Sequence, residues 1–222
     1  MAIVFDASSS GQAVATSLTF AHTNTGSNLI LFVGTWQNSA TDNITGITYN
    51  NVAMTKIDGL LNSDSNNYLQ LWYLVGPAAG ANNVVVSASS STNMHALSLS
   101  YTGASQTGQP DAHNTQTSSV ISGGTQTVSV TTIADNCGMV CLAGGAGDLP
   151  TASTNFTNRV SANNERFGDH TSQPLTPAGS KSMSVTNSGA GSESVTLLAA
   201  SFSPAAATST SFRHRMMTGI GS

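Results

Sequence analysis

Short β-prone runs separated by turn residues recur along this chain, and they constrain its fold more than any other feature. In one run Leu97, Leu99 and Tyr101 alternate with serines, which is the period of a half-buried strand. No segment carries the long 3.6-residue apolar stripe and the caps that indicate a helix. About a dozen short strands without helices predict an all-β fold, a single β-sandwich of jelly-roll type. The predicted strands are residues 14–23, 28–37, 44–49, 52–57, 68–75, 83–88, 94–102, 126–132, 137–143, 181–186 and 193–202.

The segments between these strands contain the residues that turns and loops require. Asn50 and Asn51 separate two strands and tolerate positive φ, which predicts a two-residue hairpin turn. Residues 76–80 combine glycine with proline and predict a loop. Residues 103–125 are polar and rich in Gly, Ser and Thr, so we expect a long surface connection between the halves of the sandwich.

The chain is unusually poor in charge. Hydrophobic residues make up 39% of its 222 residues, but charged residues make up only 7%, against roughly 25% in an ordinary soluble domain. Ser, Thr, Asn and Gly take the place of the missing Lys and Glu. Because enzymes usually need clustered ionisable groups, we expect a protein without catalytic residues, cofactor or metal.

Charge and hydropathy also disfavour two classes of partner. A formal net charge of −4 without an acidic or basic run in the body disfavours nucleic acid. No stretch approaches the roughly 20 apolar residues of a membrane span. The first residues lack a basic segment and reach Asp6 at once, which is unlike a secretory signal. We therefore expect synthesis in a cytoplasm without a signal peptide, and, for a protein that works outside a cell, release by a route such as lysis.

The two cysteines, Cys137 and Cys141, lie four residues apart in a predicted strand. Four strand residues span roughly 13 Å, which exceeds the ~7 Å Cα separation that a disulfide permits. The even spacing puts both thiols on one face with Met139 between them. No His or further Cys is near in the sequence to complete a metal site. We expect two free, buried thiols.

Three groups of polar residues could belong to functional sites, but their sequence neighbours supply no partners. His22 ends a predicted strand, and we interpret it as a hydrogen-bonded structural histidine. Asp111 and His113 fall in the long connection, where we interpret them as solvated loop residues rather than metal ligands. The third group shares a segment without a catalytic pattern and consists of Arg166, Asp169 and His170.

Four aromatic residues raise the question of a sugar-stacking platform. Three of them, Tyr68, Trp72 and Tyr73, lie in the apolar run of residues 68–75, where core packing is the better interpretation. Trp36 is near a strand end and precedes two amide side chains, so it is the ring that we expect to be accessible. Trp36 is therefore the candidate glycan contact.

The C-terminal segment, residues 205–222, differs from the body, residues 1–204, in composition and charge. The body contains four of the six Lys and Arg residues and all ten Asp and Glu residues, which leaves it at −6, whereas the segment carries +2. A linker of small residues precedes a group of bulky and basic ones. This pattern favours an extended arm that contacts a neighbouring subunit, and a disordered tail is the alternative. The candidate arm residues are Phe212, Arg213, His214, Arg215, Met216 and Met217.

Six landmarks follow one another along the body in a familiar order. They are SLTFAHT at 17–23, NLILFVG at 28–34, GITYNNVAMT at 46–55, LWYLVGPA at 71–78, YTGASQ at 101–106 and AASFSP at 199–204. The combination resembles a recurrent β-sandwich domain of phage structural proteins and of surface proteins of environmental bacteria. The resemblance covers roughly residues 3–204 and implies a β-sandwich. Surface members are similar to repeated modules of long secreted chains, whereas a single module with a basic tail favours a virion component.

These observations predict a non-enzymatic structural protein of a phage virion, in the first place a capsid decoration, or cement, protein that binds and stabilises the outer shell. Its expected partners are the major capsid protein or other virion proteins, with no nucleic acid and no membrane. A homo-oligomer is expected, and a trimer would fit the threefold positions of icosahedral shells. The alternative is a glycan-binding or adhesion module of a phage tail, a fibre or a cell surface.

Overall fold

Fifteen β-strands make up the regular structure of the residues that the computed structural model describes, 2–145 and 150–206. These two ranges contain no helix, and so none long and apolar enough to span a membrane. The predicted all-β sandwich is confirmed. The strands are β1 (Val4–Asn24), β2 (Ile30–Gln37), β3 (Ile44–Tyr49), β4 (Val52–Ala53), β5 (Thr55–Leu61), β6 (Tyr68–Val75), β7 (Gly80–Thr102), β8 (Ala112–Val120), β9 (Thr125–Thr132), β10 (Gly138–Gly145), β11 (Thr151–Ala152), β12 (Phe156–Ala162), β13 (Glu165–His170), β14 (Gly179–Thr186) and β15 (Glu193–Phe202).

Most predicted strands are present within a few residues of their expected ends. The predicted hairpin turn is confirmed, since Asn50 and Asn51 have φ of 49° and 63° and connect the paired residues Tyr49 and Val52. Two other expectations are wrong. Residues 83–88 and 94–102 belong to one continuous strand, β7, and residues 112–120 of the expected surface connection form β8.

These strands form three antiparallel sheets. The first sheet has the order β4-β3-β7-β2-β6-β5, and β1 pairs with β7 over nearly the whole length of both strands. The second sheet has the order β12-β13-β10-β15-β8, and the third has the order β11-β14-β9. The pairing partners of β7 divide it in two, because β3 pairs with residues 84–88 and β2 with residues 94–101.

The long β1–β7 ribbon folds back over its own sheet. Register shifts interrupt β1 between Ala15 and Ser17, and a Cβ placed on Gly11 would come within 2.9 Å of the Phe20 ring in the same strand. Leu31 and Val33 of β2 pack in one cluster with Val84 of the folded half of β7. The first sheet therefore contributes two layers to the molecule.

The second and third sheets add two more layers, and a separate hydrophobic core fills each interface. Phe32 of β2 and Leu142 of β10 share the core between the first and second sheets. Cys141 of β10 and Val128 of β9 share the core between the second and third sheets. Every residue of β2 and β10 is buried, because both faces of these central strands contact a core.

The two central sheets approach each other closely at two glycines. A Cβ on Gly34 of β2 would lie 2.7 Å from Cδ1 of Leu142, and a Cβ on Gly144 of β10 would lie 2.7 Å from Cδ2 of Leu69. Each sheet therefore supplies a glycine where the other supplies a leucine. Because no Cβ fits at either position, this reciprocal pair sets the separation of the central layers.

The described part of the body ends beside residues 103 and 104, which directly follow β7. Pro204 forms a β-bridge with Ala104, and the N–H of Ala205 donates to the carbonyl of Gly103 at 2.7 Å. The candidate arm residues 212–217 lie outside the described residues.

Candidate functional site

The outer face of the third sheet presents hydroxyl groups. On β9 the apolar residues Val128 and Val130 point into the third core, and the residues between them point outward. The register pairs each outward residue of β9 with a Ser or Thr of β14. We call this surface the hydroxyl face, and it consists of Thr125, Thr127, Ser129 and Thr131 of β9 and Ser180, Ser182, Ser184 and Thr186 of β14.

The hydroxyl face is uncharged and rigidly supported. Its four β9 residues and Ser180 are exposed, whereas Ser184 is buried and its Oγ lies 2.8 Å from Oγ1 of Thr127. Met183 and Val185 of β14, on the opposite side of the sheet, are fully buried. Because neighbouring strands lie about 4.8 Å apart and side chains on one face repeat every ~7 Å along a strand, the hydroxyls form a regular array.

A buried histidine–glutamate pair joins the first and second sheets. Nδ1 of His95, on β7, lies 2.8 Å from Oε2 of Glu165, on β13. Their side chains are 4% and 0% exposed. Burial raises the pKa of Glu165, and the hydrogen bond from His95 opposes that rise. The other carboxylate oxygen of Glu165, Oε1, has no hydrogen-bond partner within residues 2–145 and 150–206.

Two further contacts fix the imidazole of His95. The ring stacks on Trp36 with centroids 4.8 Å apart and planes 14° from parallel. The other nitrogen of the ring, Nε2, lies 2.9 Å from Nδ2 of Asn163. An amide nitrogen can only donate, so Nε2 accepts and Nδ1 carries the proton toward Glu165.

His95 and Asn163 both line an open cavity of about 310 Å³. The cavity lies where the β1–β7 ribbon bends and where the turn between β12 and β13 approaches it. Asn163, in that turn, has φ of 43°, a left-handed conformation that asparagine tolerates better than most residues. The lining residues are Gln12, Ala13, Val14, Asn93, His95 and Asn163.

A second polar pair, Tyr101 of β7 and Asp169 of β13, joins the two strands that carry His95 and Glu165. Tyr101 lies six residues after His95 on β7. The hydroxyl of Tyr101 donates to Oδ2 of Asp169 at 3.1 Å, and Nε of Arg159 donates to the same oxygen at 2.9 Å. Burial raises the pKa of Asp169, which Arg159 opposes, and burial raises the pKa of Tyr101 well above 10. The guanidinium of Arg159 also lies over the ring of Phe5, with Cζ 4.3 Å from the ring centroid. Asp169 is therefore part of a structural network.

His22 is a hydrogen-bonded structural residue, as the sequence predicts. It is 1% exposed, with Nδ1 2.8 Å from Oγ of Ser9 and Nε2 3.0 Å from Oγ of Ser100. Ser100 in turn donates to Asp6 at 2.8 Å. Burial lowers the pKa of His22, and the charge of Asp6 opposes this effect.

Asp111 is not the solvated loop residue that the sequence predicts. It lies one residue before β8, and its carboxylate accepts from Oγ of Ser201 at 2.5 Å and from Oγ of Ser203 at 2.9 Å. The thiol of Cys137 donates to it at 3.3 Å. His113 lies on β8, and its Nδ1 is 3.3 Å from Oδ2 of Asp58. The described residues hold no group of three or more His, Cys, Asp or Glu that could bind a metal ion.

Trp36 is buried rather than accessible, so that expectation is wrong. It is 6% exposed, because its ring packs in the first core and one of its faces is covered by His95. A ring covered in this way offers no stacking face to a sugar. Trp72 is also buried, at 7% exposure, which confirms core packing for that residue.

No protein-family model, curated protein or solved structure matches this chain. The resemblance to a phage or bacterial surface β-sandwich domain stays a prediction that rests on its landmark residues.

The sequence singles out neither the hydroxyl face nor the pair of His95 and Glu165. The strands at residues 126–132 and 181–186 are predicted, but their pairing, which assembles the hydroxyl face, is not. His95 and Glu165 are 70 residues apart and meet only because two sheets stack. One signal in the sequence is the pair Asn163 and Asn164, which resembles the paired asparagines of the turn at residues 50–51 and indicates a hairpin turn before a strand that begins at Glu165.

Proposed function

We propose that this protein is a non-enzymatic structural protein of a phage virion, a decoration protein that binds the outer surface of the capsid shell and stabilises it. The observation that carries the proposal is the hydroxyl face, an uncharged array of Ser and Thr on a rigid sheet. The landmark residues support the phage context, and the geometry of the face supports binding by surface complementarity.

The hydroxyl face is suited to docking on a large, ordered partner. Each hydroxyl both donates and accepts, so the face can match a partner surface directly or through bridging water. Ser and Thr have short side chains, which lose little conformational entropy when a partner orders them. Because buried residues of the third core, such as Met183 and Val185, support the strands beneath, the hydroxyls are held in place before binding.

The expected affinity of one face explains why an oligomer is part of the proposal. A neutral hydrogen bond contributes about 0.5–1.5 kcal/mol net, so a few exposed hydroxyls give only weak binding. An oligomer that presents several faces to a repetitive shell gains affinity through effective concentration. We propose a homo-oligomer, with a trimer as the form that fits a threefold position.

The buried ionisable groups support a structural role over a catalytic one. Nδ1 of His95 is held by Glu165, and the carboxylate of Asp169 is held by Arg159 and Tyr101. The two nitrogens of His22 are occupied by serine hydroxyls. Each of these contacts joins strands or layers, which is how buried polar networks specify one packing of sheets.

The test is co-sedimentation of the purified protein with shells assembled from the major capsid protein of the same phage. We expect saturable binding with a fixed number of copies per capsomer and a higher temperature of shell disruption. The variant Thr127→Lys/Ser129→Lys places two long charged side chains on the hydroxyl face and should weaken binding at least tenfold. The matched control, Thr19→Lys/Thr23→Lys, changes two exposed positions on the folded half of β1 and should bind like the wild type.

Two results would overturn the proposal. Absence of saturable binding to the shells would exclude the decoration role, and equal loss of binding in both double variants would exclude the hydroxyl face as the docking surface. Sedimentation equilibrium of the unmodified chain tests the oligomer separately, since a protein that stays monomeric at working concentration contradicts the trimer.

A further inference from the structure

We infer that the cavity beside His95 is a binding site for a neutral saccharide. This site is separate from the hydroxyl face, and the inference does not depend on the proposed virion role. It rests on the buried pair of His95 and Glu165, on the three amide side chains around the cavity, and on an exposed apolar side chain at its rim.

Burial of the Glu165 side chain opposes folding, but the buried carboxylate fixes the orientation of the His95 ring. Glu165 is completely buried, and its Oε1 has no hydrogen-bond partner in the described ranges, which is an expensive arrangement for a carboxylate. What the arrangement achieves is a fixed imidazole, because Oε2 accepts from Nδ1 and the Trp36 ring covers one face. Nε2 is thereby fixed as a hydrogen-bond acceptor, and it accepts from Nδ2 of Asn163, which lines the cavity together with His95.

The remaining polar groups of the cavity are amides. Nδ2 of Asn163 lies 2.9 Å from Nε2 of His95 and 3.4 Å from Oε1 of Gln12, so one amide bridges two acceptors. The amide of Asn93 completes the set. A ligand hydroxyl can replace the Asn163 amide as donor to Nε2, and the freed amide can then bind the same ligand.

The chemistry of this lining selects a neutral ligand with several hydroxyls. Amides and imidazole supply donors and acceptors in similar numbers, as a polyhydroxylated ring requires. None of the described residues that line the cavity is a Lys or an Arg, so a phosphate or carboxylate would lose hydration there without gaining a countercharge from them. The carboxylate of Glu165 is already engaged by His95, so an organic cation gains little there.

The apolar rim and the volume fit the same ligand. Val14 is 75% exposed, the largest exposure among the bulky hydrophobic side chains of the described chain, and it lies at the cavity beside Ala13. The C–H face of a sugar ring can pack on such a side chain while its hydroxyls bind the amides. A cavity of about 310 Å³ is at the lower end of the roughly 300–1,000 Å³ of small-molecule sites, which suits one saccharide unit.

The experiment is an NMR titration of the full chain with the methyl glycosides of glucose, galactose, mannose and N-acetylglucosamine. At least one of them should shift the side-chain amide signals of Gln12 and Asn163 and the imidazole signals of His95, with one common saturation curve. Methyl glucuronide and inorganic phosphate, the charged probes, should bind at these residues more weakly.

Two substitutions at exposed positions test the contacts and leave the residues His95 and Glu165 themselves unchanged. Gln12→Ala should weaken binding at least threefold, and Asn163→Gly should do the same while keeping a residue that tolerates positive φ. The matched control is Gln116→Ala, which removes an exposed strand glutamine from β8 on another sheet and should bind like the wild type. Unchanged His22 signals in every titration show that the shifts are local.

The inference is wrong if none of the four glycosides shifts these signals at about 50 mM, roughly fifty times a millimolar Kd. It is also wrong if the charged probes bind there more tightly than the glycosides, or if Gln116→Ala weakens binding as much as Gln12→Ala. The proposed virion role is tested on shells with the hydroxyl-face variants, so each proposal can fail without the other.

Discussion

Ser9 and His22 belong to the same β-strand, thirteen residues apart, and yet Oγ of Ser9 lies 2.8 Å from Nδ1 of His22. In a straight strand their Cα atoms would be about 43 Å apart. The contact exists because β1 folds back near the register shift between Ala15 and Ser17. His22 also binds Ser98 and Ser100 of β7, so it fastens the folded half of the ribbon to the sheet beneath.

Replacing His22 by phenylalanine should destabilise the protein by about 2–4 kcal/mol. The substitution keeps a ring but removes the hydrogen-bond partner of three serine hydroxyls, in a place where water cannot replace it. Urea unfolding followed by circular dichroism measures the free energy. Thr23→Ala, at the next and exposed position of β1, is the control and should change the stability by less than about 0.5 kcal/mol.

Stability should fall in mild acid because of His22. Burial lowers the pKa of this residue, so the unfolded chain binds a proton at a pH where the folded chain does not. Its contribution is therefore fully present above the ordinary pKa of about 6.5 and is lost as the pH falls through the lower folded value. In urea unfolding across this range, the wild type should lose stability relative to His22→Gln, which cannot titrate. Parallel stability curves for the two proteins would contradict the prediction.

The sequence predicts the apolar strands of this fold well and its polar strands poorly. Residues 94–102 contain Met, Leu and Tyr, and residues 193–202 contain Val, Leu and Phe, which is enough for both strands to be recognised. Residues 112–120 of β8 contain one bulky apolar residue, Val120. β8 lies at the edge of the second sheet, where backbone hydrogen bonds to β15 and one bulky apolar side chain are enough to hold a strand in place.

The layers and the candidate sites follow from sheet pairing, which local patterns do not encode. Nothing in residues 4–24 says that β1 folds back on itself, and only that fold brings Ser9 to His22. In the same way Gln12 and Asn163 meet across 151 residues of sequence. Trp36 is buried because its ring stacks on that of His95, the residue on β7 with which it is paired.

Gly34→Ala should destabilise the protein by about 1–3 kcal/mol, because the added Cβ would lie 2.7 Å from Leu142 between two buried sheets. The control is Gly46→Ala on β3, where a Cβ would meet no atom of the described residues within 4 Å. That substitution should leave the free energy of unfolding unchanged or raise it by up to about 1 kcal/mol. Equal effects in the two variants would show that the reciprocal glycine–leucine packing does not set the layer separation.

Cys137 and Cys141 should stay unreactive toward a thiol reagent at neutral pH until the protein unfolds. Both are free and buried, as the sequence predicts. Burial and the neighbouring charge of Asp111 raise the pKa of Cys137 to about 11, and burial raises the pKa of Cys141 further. Since the thiolate is the reactive form, labelling should be slow and should accelerate in denaturant. Rapid labelling of the native protein would contradict the burial of these side chains.

Removal of residues 207–222 should leave the body folded and weaken its self-association. All fifteen strands and three cores of the described residues are built from residues before position 207, and truncation after Ala206 keeps the hydrogen bond from Ala205 to Gly103. The segment carries +2 against a body at −6, so an arm reaching a neighbouring subunit gains from charge attraction that salt screens.

Burial of Phe212 and of the two methionines at about 1.5–3 kcal/mol each would offset the entropy of ordering such an arm. At a concentration where both chains are monomeric, truncation should leave the melting temperature within about 2 °C of the wild type, because the cores of the described residues stay intact. A change of 1 kcal/mol corresponds to ~2–4 °C in a chain of this size. In sedimentation velocity the oligomer should dissociate at a concentration at least tenfold higher. Arg213→Ala/Arg215→Ala should cause part of that loss, and only at low salt. A truncated chain that associates as tightly as the full chain would show that the arm has no role between subunits, and the oligomer would then have to form through the sheets.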